Sequence, residues 1–185
     1  MNKKTFVIIA GMLPASTSFA QKAKLNEAIR ELETAQEQKK LQKISLETEA
    51  YQRAKAAIDL ATNDPATKDN AKAWFTKAAI YIGMQDNESL SADKPYKDGI
   101  AALNKAVELD KKTSSNEQMP NLLANGAFHA FNDGIRTYND SKYTEAYNIF
   151  KDGANLLGAD KDKRFVLMPI IDTIRAQTKM FMGYT

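Results

Sequence analysis

Hydrophobic residues recur along this chain every three or four positions, the spacing of an α-helix, and nowhere alternate with polar residues as in a β-strand. Residues 25–35 and 50–61 are two clear examples. Pro65, Pro95 and Pro120 each stand where a helix could begin, with Asp or Asn nearby as a cap. The pattern predicts an all-α chain of about seven helices, over residues 23–43, 46–62, 66–83, 95–110, 121–139, 142–157 and 162–182.

The first twenty residues have a different pattern from the rest. Two lysines in Met1–Lys4 precede an apolar run over 5–13, Pro14 interrupts that run, and small residues Ser18 and Ala20 follow. This order is typical of a secretory signal peptide, and it predicts cleavage after Ala20. The alternatives are an N-terminal membrane anchor or a buried helix, but the apolar run is far shorter than the ~20 residues that span a bilayer.

Export changes the interpretation of the charge and composition. The chain has 26 basic and 23 acidic residues, and removal of Lys3 and Lys4 leaves a mature chain with 24 basic residues, a net charge of +1. The mature sequence has no clustered basic footprint, which argues against a nucleic-acid partner. It also has no later apolar stretch long enough for an integral membrane segment. We expect an exported bacterial protein, periplasmic or associated with the cell envelope.

The residue types also restrict the chemistry. The chain has no cysteine, which excludes disulfides, a cysteine nucleophile, cysteine-ligated metal and a lipoprotein anchor. The single histidine, His129, disfavours histidine metal sites and catalytic triads. No carboxylates form a pair that can be placed in a shared pocket, so we expect no enzyme activity, metal site or cofactor.

Three of the predicted helices share a pattern of aromatic, small, large apolar and small residues, at offsets 0, +3, +7 and +10. At 3.6 residues per turn these offsets lie within an arc of about 80° on one helix face. Two small residues in each set allow a neighbouring helix to approach closely, so the pattern predicts a packing seam. The three sets are Tyr51, Ala54, Ile58, Ala61, then Tyr96, Gly99, Leu103, Ala106, and then Tyr143, Ala146, Phe150, Gly153.

These segments resemble the second helices of tetratricopeptide (TPR) repeats. Trp74, Ala78 and Tyr81 are similar to the first-helix signature of that family, with Lys77 where leucine is usual, and Gly134 fits the third unit. The resemblance implies a solenoid of about three antiparallel helix pairs. Its units are 23–65, 66–117 and 118–160, followed by an extra helix over 162–182.

The repeat is longer than in the family. Equivalent tyrosines lie 45 and 47 residues apart, against about 34 in TPR proteins. Polar segments over 84–94 and 111–119 hold the extra residues, and we expect both to be surface loops. Pro169 either kinks the last helix or marks its true start. That helix could cap the array, but caps usually have a polar outer face, and this one ends in an apolar segment. The apolar end favours either continuation of a longer array or docking on another subunit.

TPR arrays are binding scaffolds whose first helices line a concave groove. The resemblance places an apolar and aromatic groove here, and of the family's clamp for C-terminal carboxylates only Lys72 remains. It therefore implies a protein or peptide partner with an apolar or amphipathic segment. The aromatic residues could equally be ordinary core between helices. The predicted partner-binding residues are Lys72, Phe75, Ala79 and Ile82 in the second unit and Phe128, Phe131, Ile135 and Tyr138 in the third.

Two functions remain open at this point. A non-catalytic protein-interaction scaffold binds one partner saturably, whereas a periplasmic holdase chaperone shelters several unrelated unfolded clients. Both fit an exported helical protein with an apolar groove.

Overall fold

In the computed structural model, residues 15–158 and 169–184 are described, and the regular secondary structure of this part of the chain is all helical, without a β-strand. It contains seven α-helices and two short 3-10 helices, Ser91–Asp93 and Lys111–Ser115. The α-helices are α1 (Ala15–Lys40), α2 (Ile44–Asn63), α3 (Ala71–Met84), α4 (Tyr96–Leu109), α5 (Met119–Asn139), α6 (Tyr143–Gly158) and α7 (Pro169–Tyr184).

The helices pack as consecutive antiparallel pairs, α1 with α2, α3 with α4 and α5 with α6. Neighbouring pairs meet through α2 and α3 and through α4 and α5. The first helices also lie side by side, because α3 contacts both α1 and α5. The predicted all-α fold of helix pairs with an additional C-terminal helix is therefore confirmed.

The predicted start of the third helix is wrong. Pro65 does not begin α3, because residues 64–69 form a turn in which Asp64 Oδ1 accepts the backbone N–H of Ala66 at 2.8 Å. The helix begins at Ala71, where the side chain of Asn70 accepts the backbone N–H of Lys72 and caps it.

The three intra-pair connections share one backbone feature. Gln42, Lys94 and Ser141 have φ values of 56°, 52° and 62°, and each lies two residues before the second helix of its pair. A left-handed residue turns the chain out of the preceding segment. Between α3 and α4 this turn is preceded by the longer segment that the sequence predicts as a surface loop. The segment is not wholly exposed. Asn87 is buried in it and donates a side-chain hydrogen bond to Thr48 Oγ1 of α2 at 3.0 Å.

The positions of these turns show which residues of the first pair correspond to those of the other two pairs, and the correspondence differs from the one predicted from sequence. Tyr96 and Tyr143 are the first residues of α4 and α6, but Tyr51 is the eighth residue of α2. Ile44, and not Tyr51, stands at the equivalent place in the first pair, so Tyr51 corresponds to Leu103 and Phe150. The set from Tyr51 to Ala61 has the same spacing as the sets that begin at Tyr96 and Tyr143, but it lies two helical turns further along its helix. The equal spacing explains why the three sets matched in sequence.

Most of the predicted packing residues are buried, and small residues let the helices approach. A Cβ placed on Gly134 would lie 2.6 Å from the Phe150 ring, so this contact requires glycine. Tyr143 is an exception, with 47% of its surface exposed, and Trp74 is partly buried. The buried members are Tyr51, Ala54, Ile58, Ala61, Tyr81, Tyr96, Gly99, Leu103, Ala106, Gly134, Ala146, Phe150 and Gly153.

The last helix packs on the third pair of its own chain. Pro169 marks its start, and the predicted helical residues 162–168 lie outside the described part. The Phe181 ring stacks on the Phe150 ring of α6 with centroids 5.1 Å apart and an interplanar angle of 12°.

The predicted signal peptide falls largely outside the described residues, which begin at Ala15. Helix α1 continues through the expected cleavage site after Ala20. No helix in the described part is long and apolar enough to cross a membrane.

Candidate partner-binding groove

A groove runs along the first helices of the three pairs. It consists of three adjoining cavities of about 440, 500 and 320 Å³. The first two cavities share Gln36, Ala79 and Gln118, and the second and third share Lys72 and Phe75. The groove therefore crosses from the first pair to the third without interruption.

The floor of this groove is apolar. Its side chains come from α1, α3 and the start of α5, because each first helix turns one apolar stripe toward its neighbours. The floor residues are Ile29, Leu32, Phe75, Ala79, Ile82 and Leu122.

The rim is polar and rich in side-chain amides. Gln118, Asn121 and Asn125 follow one another at spacings of three and four residues, so they share one face of α5 and its preceding turn. Each amide offers both donors and an acceptor. Lys39, Lys40, Lys72, Gln36, Glu33, Asn116 and Glu117 complete the polar rim.

The structure places all four residues predicted in the second unit on this groove. Phe75, Ala79 and Ile82 form part of the floor and are 8%, 8% and 1% exposed, and Lys72 stands exposed at the rim. These four residues lie on the side of α3 that faces the groove.

The four residues predicted in the third unit do not line these cavities. Phe181 of α7 covers two of them, with its ring centroid 6.3 Å from that of Phe131 and 5.5 Å from that of Tyr138. Ile135 is partly buried against the same core, and Phe128 is 42% exposed. Helix α7 thus occupies the place where an open groove was expected.

Sequence reasoning missed the contributions of α1 and α5. Ile29, Leu32 and Gln36 of α1 recur at helical spacing, but the misplaced register of the first unit hid the groove-facing stripe. The amides Gln118, Asn121 and Asn125 precede the predicted aromatic residues of α5 in the sequence. They too recur at helical spacing, which is the signal that could have identified them.

Ionisable residues from three helix pairs meet at one end of the groove. Asp86, just after α3, lies 2.7 Å from Lys39 Nζ of α1 and 3.1 Å from His129 Nε2 of α5. His129 Nε2 lies close enough to Asp86 for an ion pair, but the two groups are not aligned for a hydrogen bond. Burial acts to raise the pKa of Asp86, but His129 and Lys39 bring it below its ordinary value. The carboxylate therefore stays ionised and joins the first helices.

A second carboxylate joins the first pair to the second. Asp59 of α2 accepts the Tyr81 hydroxyl of α3 at 2.7 Å and lies 2.8 Å from Lys77 Nζ, also of α3. Lys55, one turn earlier in α2, is 2.7 Å away. Burial acts to raise the pKa of Asp59, but these donors lower it overall.

A third carboxylate joins the second pair to the third. The Asp133 side chain of α5 is only 1% exposed, accepts the Tyr96 hydroxyl at 2.7 Å and lies 2.7 Å from Lys94 Nζ. Lys97 and Arg136 are 3.6 Å and 3.4 Å away. Burial opposes ionisation, but Lys94 and Tyr96 bring the pKa of Asp133 below its ordinary value.

These three carboxylates have structural partners and do not converge on one pocket. Within residues 15–158 and 169–184 no group of His, Asp and Glu side chains could hold a metal ion. The arrangement provides an apolar surface with hydrogen-bonding edges.

Comparison with known proteins gives no further guide. No protein-family model matches the chain, no curated protein matches it, and no solved structure matches it.

Proposed function

We propose that this chain is an exported, TPR-like helical array that acts as a non-catalytic protein-interaction module. Its groove binds an apolar or amphipathic segment of a protein partner. The observation that carries the proposal is the continuous groove along α1, α3 and α5, with an apolar floor and an amide-rich rim.

The chemistry of the groove favours a peptide segment over a small molecule. Ile29 and Leu32 of α1 are only partly buried and offer a surface for aliphatic or aromatic side chains. Residues 118–125 extend about 10 Å along α5, which matches about three residues of extended chain. Asn121 and Asn125 can pair with the backbone amides of such a segment, as donor and acceptor.

The TPR-like assignment is supported by the helix pairs and by close contacts at small residues such as Gly134 and Gly99. Export is supported by the charged, apolar and small-residue order of residues 1–20. The proposal assigns no catalytic role to the carboxylates. Those with lowered pKa values are each paired with a cation between helix pairs, namely Asp59, Asp86 and Asp133.

Capture from the cell envelope, followed by titration of the captured partner, tests this proposal. Ala79→Glu introduces a charge where two cavities meet, and Asn125→Lys alters the exposed rim without touching the core. The matched control is Ala101→Glu on the exposed side of α4. Thermal unfolding of each variant separates lost binding from lost folding.

We expect one partner that binds saturably to the wild type and to Ala101→Glu, and at least tenfold more weakly to both groove variants. Equal binding by all four proteins would contradict the groove assignment. Suppression of aggregation of several unrelated proteins, without a saturable partner, would instead identify a holdase chaperone.

A further inference from the structure

The turn that joins α1 to α2 presents three aliphatic side chains to solvent. Leu41, Ile44 and Leu46 are 53%, 61% and 46% exposed. We call residues 39–46 the α1–α2 tip. Single exposed aliphatic residues are common, but three within six positions form a patch, and such patches mark interaction sites.

The backbone of the tip is satisfied by its own hydrogen bonds. Gln42 has a φ of 56° and donates its N–H to Lys39 O at 3.0 Å, and Lys43 donates to Gln38 O at the same distance. These bonds close the end of α1 in a tight turn. The tip therefore projects its side chains from the end of the first pair and offers few free backbone groups to a protein partner.

The tip is also basic. Residues 39–46 contain three lysines and no acidic residue. Lys39 pairs with Asp86, but Lys40 and Lys43 are exposed, and neither pairs with a carboxylate in the described part of the chain. A lysine in the last turn of α1 suits the negative end of that helix. The helix end does not explain why aliphatic residues stand beside the lysines.

We propose that the α1–α2 tip docks on the surface of an anionic phospholipid bilayer. Leu41, Ile44 and Leu46 enter the interface between headgroups and acyl chains, and Lys40 and Lys43 lie among the phosphates. Apolar burial and attraction of lysines to anionic lipid together give peripheral binding. A lipid interface accepts such a tip without a complementary pocket, whereas a protein partner would need a surface shaped to fit it.

This docking does not rest on the proposed peptide binding, although Lys40 borders both surfaces. It would hold the protein at a membrane surface by the end of its first helix pair, close to Lys39 and Lys40 at the rim of the groove.

Flotation with phospholipid vesicles tests the proposal. The protein is used in the form that the cell produces, with its N-terminus determined by mass spectrometry, and every variant carries the same N-terminus. Vesicles of phosphatidylcholine alone are compared with vesicles that also contain phosphatidylglycerol. The variants are the pair Leu41→Ser with Ile44→Ser and the pair Lys40→Gln with Lys43→Gln. Leu60→Ser is the matched control, because Leu60 is 56% exposed at the other end of α2.

We expect wild type and Leu60→Ser to bind the anionic vesicles more tightly than the neutral ones. Replacement of Leu41 and Ile44 by serine should weaken binding at least tenfold, because the apolar surface of these two half-exposed side chains is no longer transferred from water into the bilayer. Loss of the two lysines should weaken it about 25-fold on anionic vesicles, at about fivefold for each lysine. Equal binding by all variants, or no binding by wild type, would overturn the proposal.

A fluorescent probe tests the location directly. The chain has no cysteine, so Gln42→Cys gives a single labelling site on the tip, and Ser141→Cys gives a control in the equivalent turn of the third pair. An environment-sensitive dye should shift to the blue with anionic vesicles at position 42 alone. A shift at both positions would contradict docking through the tip.

Sedimentation tests whether the tip instead binds a second copy of the chain. Self-association that requires Leu41 and Ile44 would assign the tip to that contact, and it too would overturn the proposal.

Discussion

Lys77 and Asp133 hold the same place in two successive first helices and carry opposite charges. Each comes directly before a small residue, Ala78 in α3 and Gly134 in α5, and each pairs across the boundary to the preceding helix pair. Lys77 reaches back to Asp59 of α2, and Asp133 receives Lys94 from the turn before α4.

The two junctions also share a tyrosine that donates its hydroxyl to the carboxylate, Tyr81 at Asp59 and Tyr96 at Asp133. They differ in burial, because the Asp59 side chain is 26% exposed and that of Asp133 only 1%. Both junctions therefore combine a charge pair with a tyrosine, in opposite polarity. Burial then determines how much each junction contributes to stability.

The largest effect is expected from Asp133→Asn. The variant loses a buried carboxylate with charge-assisted hydrogen bonds, and it leaves Lys94, Lys97 and Arg136 without their shared anion. The cations are partly exposed and can turn to water, so we expect a loss of about 2–3 kcal/mol in the free energy of unfolding. Urea denaturation measures it. Asp152→Asn on the exposed side of α6 is the control and should change the free energy by less than about 0.5 kcal/mol.

Tyr96→Phe should have the next largest effect. It removes the hydroxyl that donates to Asp133 Oδ2 in a buried site, and a hydrogen bond to a charged group contributes about 1.5–3 kcal/mol. Because Lys94 remains beside the carboxylate, we expect a loss near the lower limit, about 1.5 kcal/mol, by urea denaturation. Tyr81→Phe is the matched variant and should lose less, and an equal loss would mean that burial does not separate the two junctions.

Asp59→Asn should destabilise by about 1 kcal/mol, because this carboxylate is partly hydrated and solvent weakens its ion pairs. Lys77→Met in the same site should cost a similar amount, and the double variant should cost less than the sum of the two, which a double-mutant cycle measures. An additive result would show that Lys77 and Asp59 do not interact in solution.

The smallest effect is a difference in the pH dependence of stability. The carboxyls of Asp59 and Asp133 have pKa values below their ordinary one in the folded chain, so their contribution is complete above about pH 4 and is lost as acid protonates them. The free energy of unfolding of wild type should fall more steeply below pH 4 than that of Asp133→Asn. Parallel curves would mean that the Asp133 pKa is not lowered.

The helix pairs could be predicted from sequence because they depend on local spacing. Tyr96, Gly99, Leu103 and Ala106 follow one face of one helix, and their burial follows from that pattern alone. The substitution of Lys77 for the usual leucine was also visible in the sequence. Its partner Asp59 was not, since the contact depends on how two helix pairs are placed side by side.

The groove was predicted in part for the same reason. The face of α3 was correct because Trp74 fixed its register, but the first pair had no such marker, and a matching pattern two turns away gave Tyr51 the wrong place. The role of Phe131 and Tyr138 depends on Phe181, which comes 50 and 43 residues later in the chain. No local pattern shows that α7 returns to cover them.

The consecutive pairing of the helices determines the order in which the chain can fold. Each helix pairs with the one just before or after it, so most contacts join residues that are near in sequence, a topology associated with fast folding. A chain that emerges N-terminus first can close α1 on α2 before α3 is available, and each completed pair then provides a surface for the next. Helix α7 follows the third pair, and when it packs there it buries the aromatic surface that this pair would otherwise expose to aggregation.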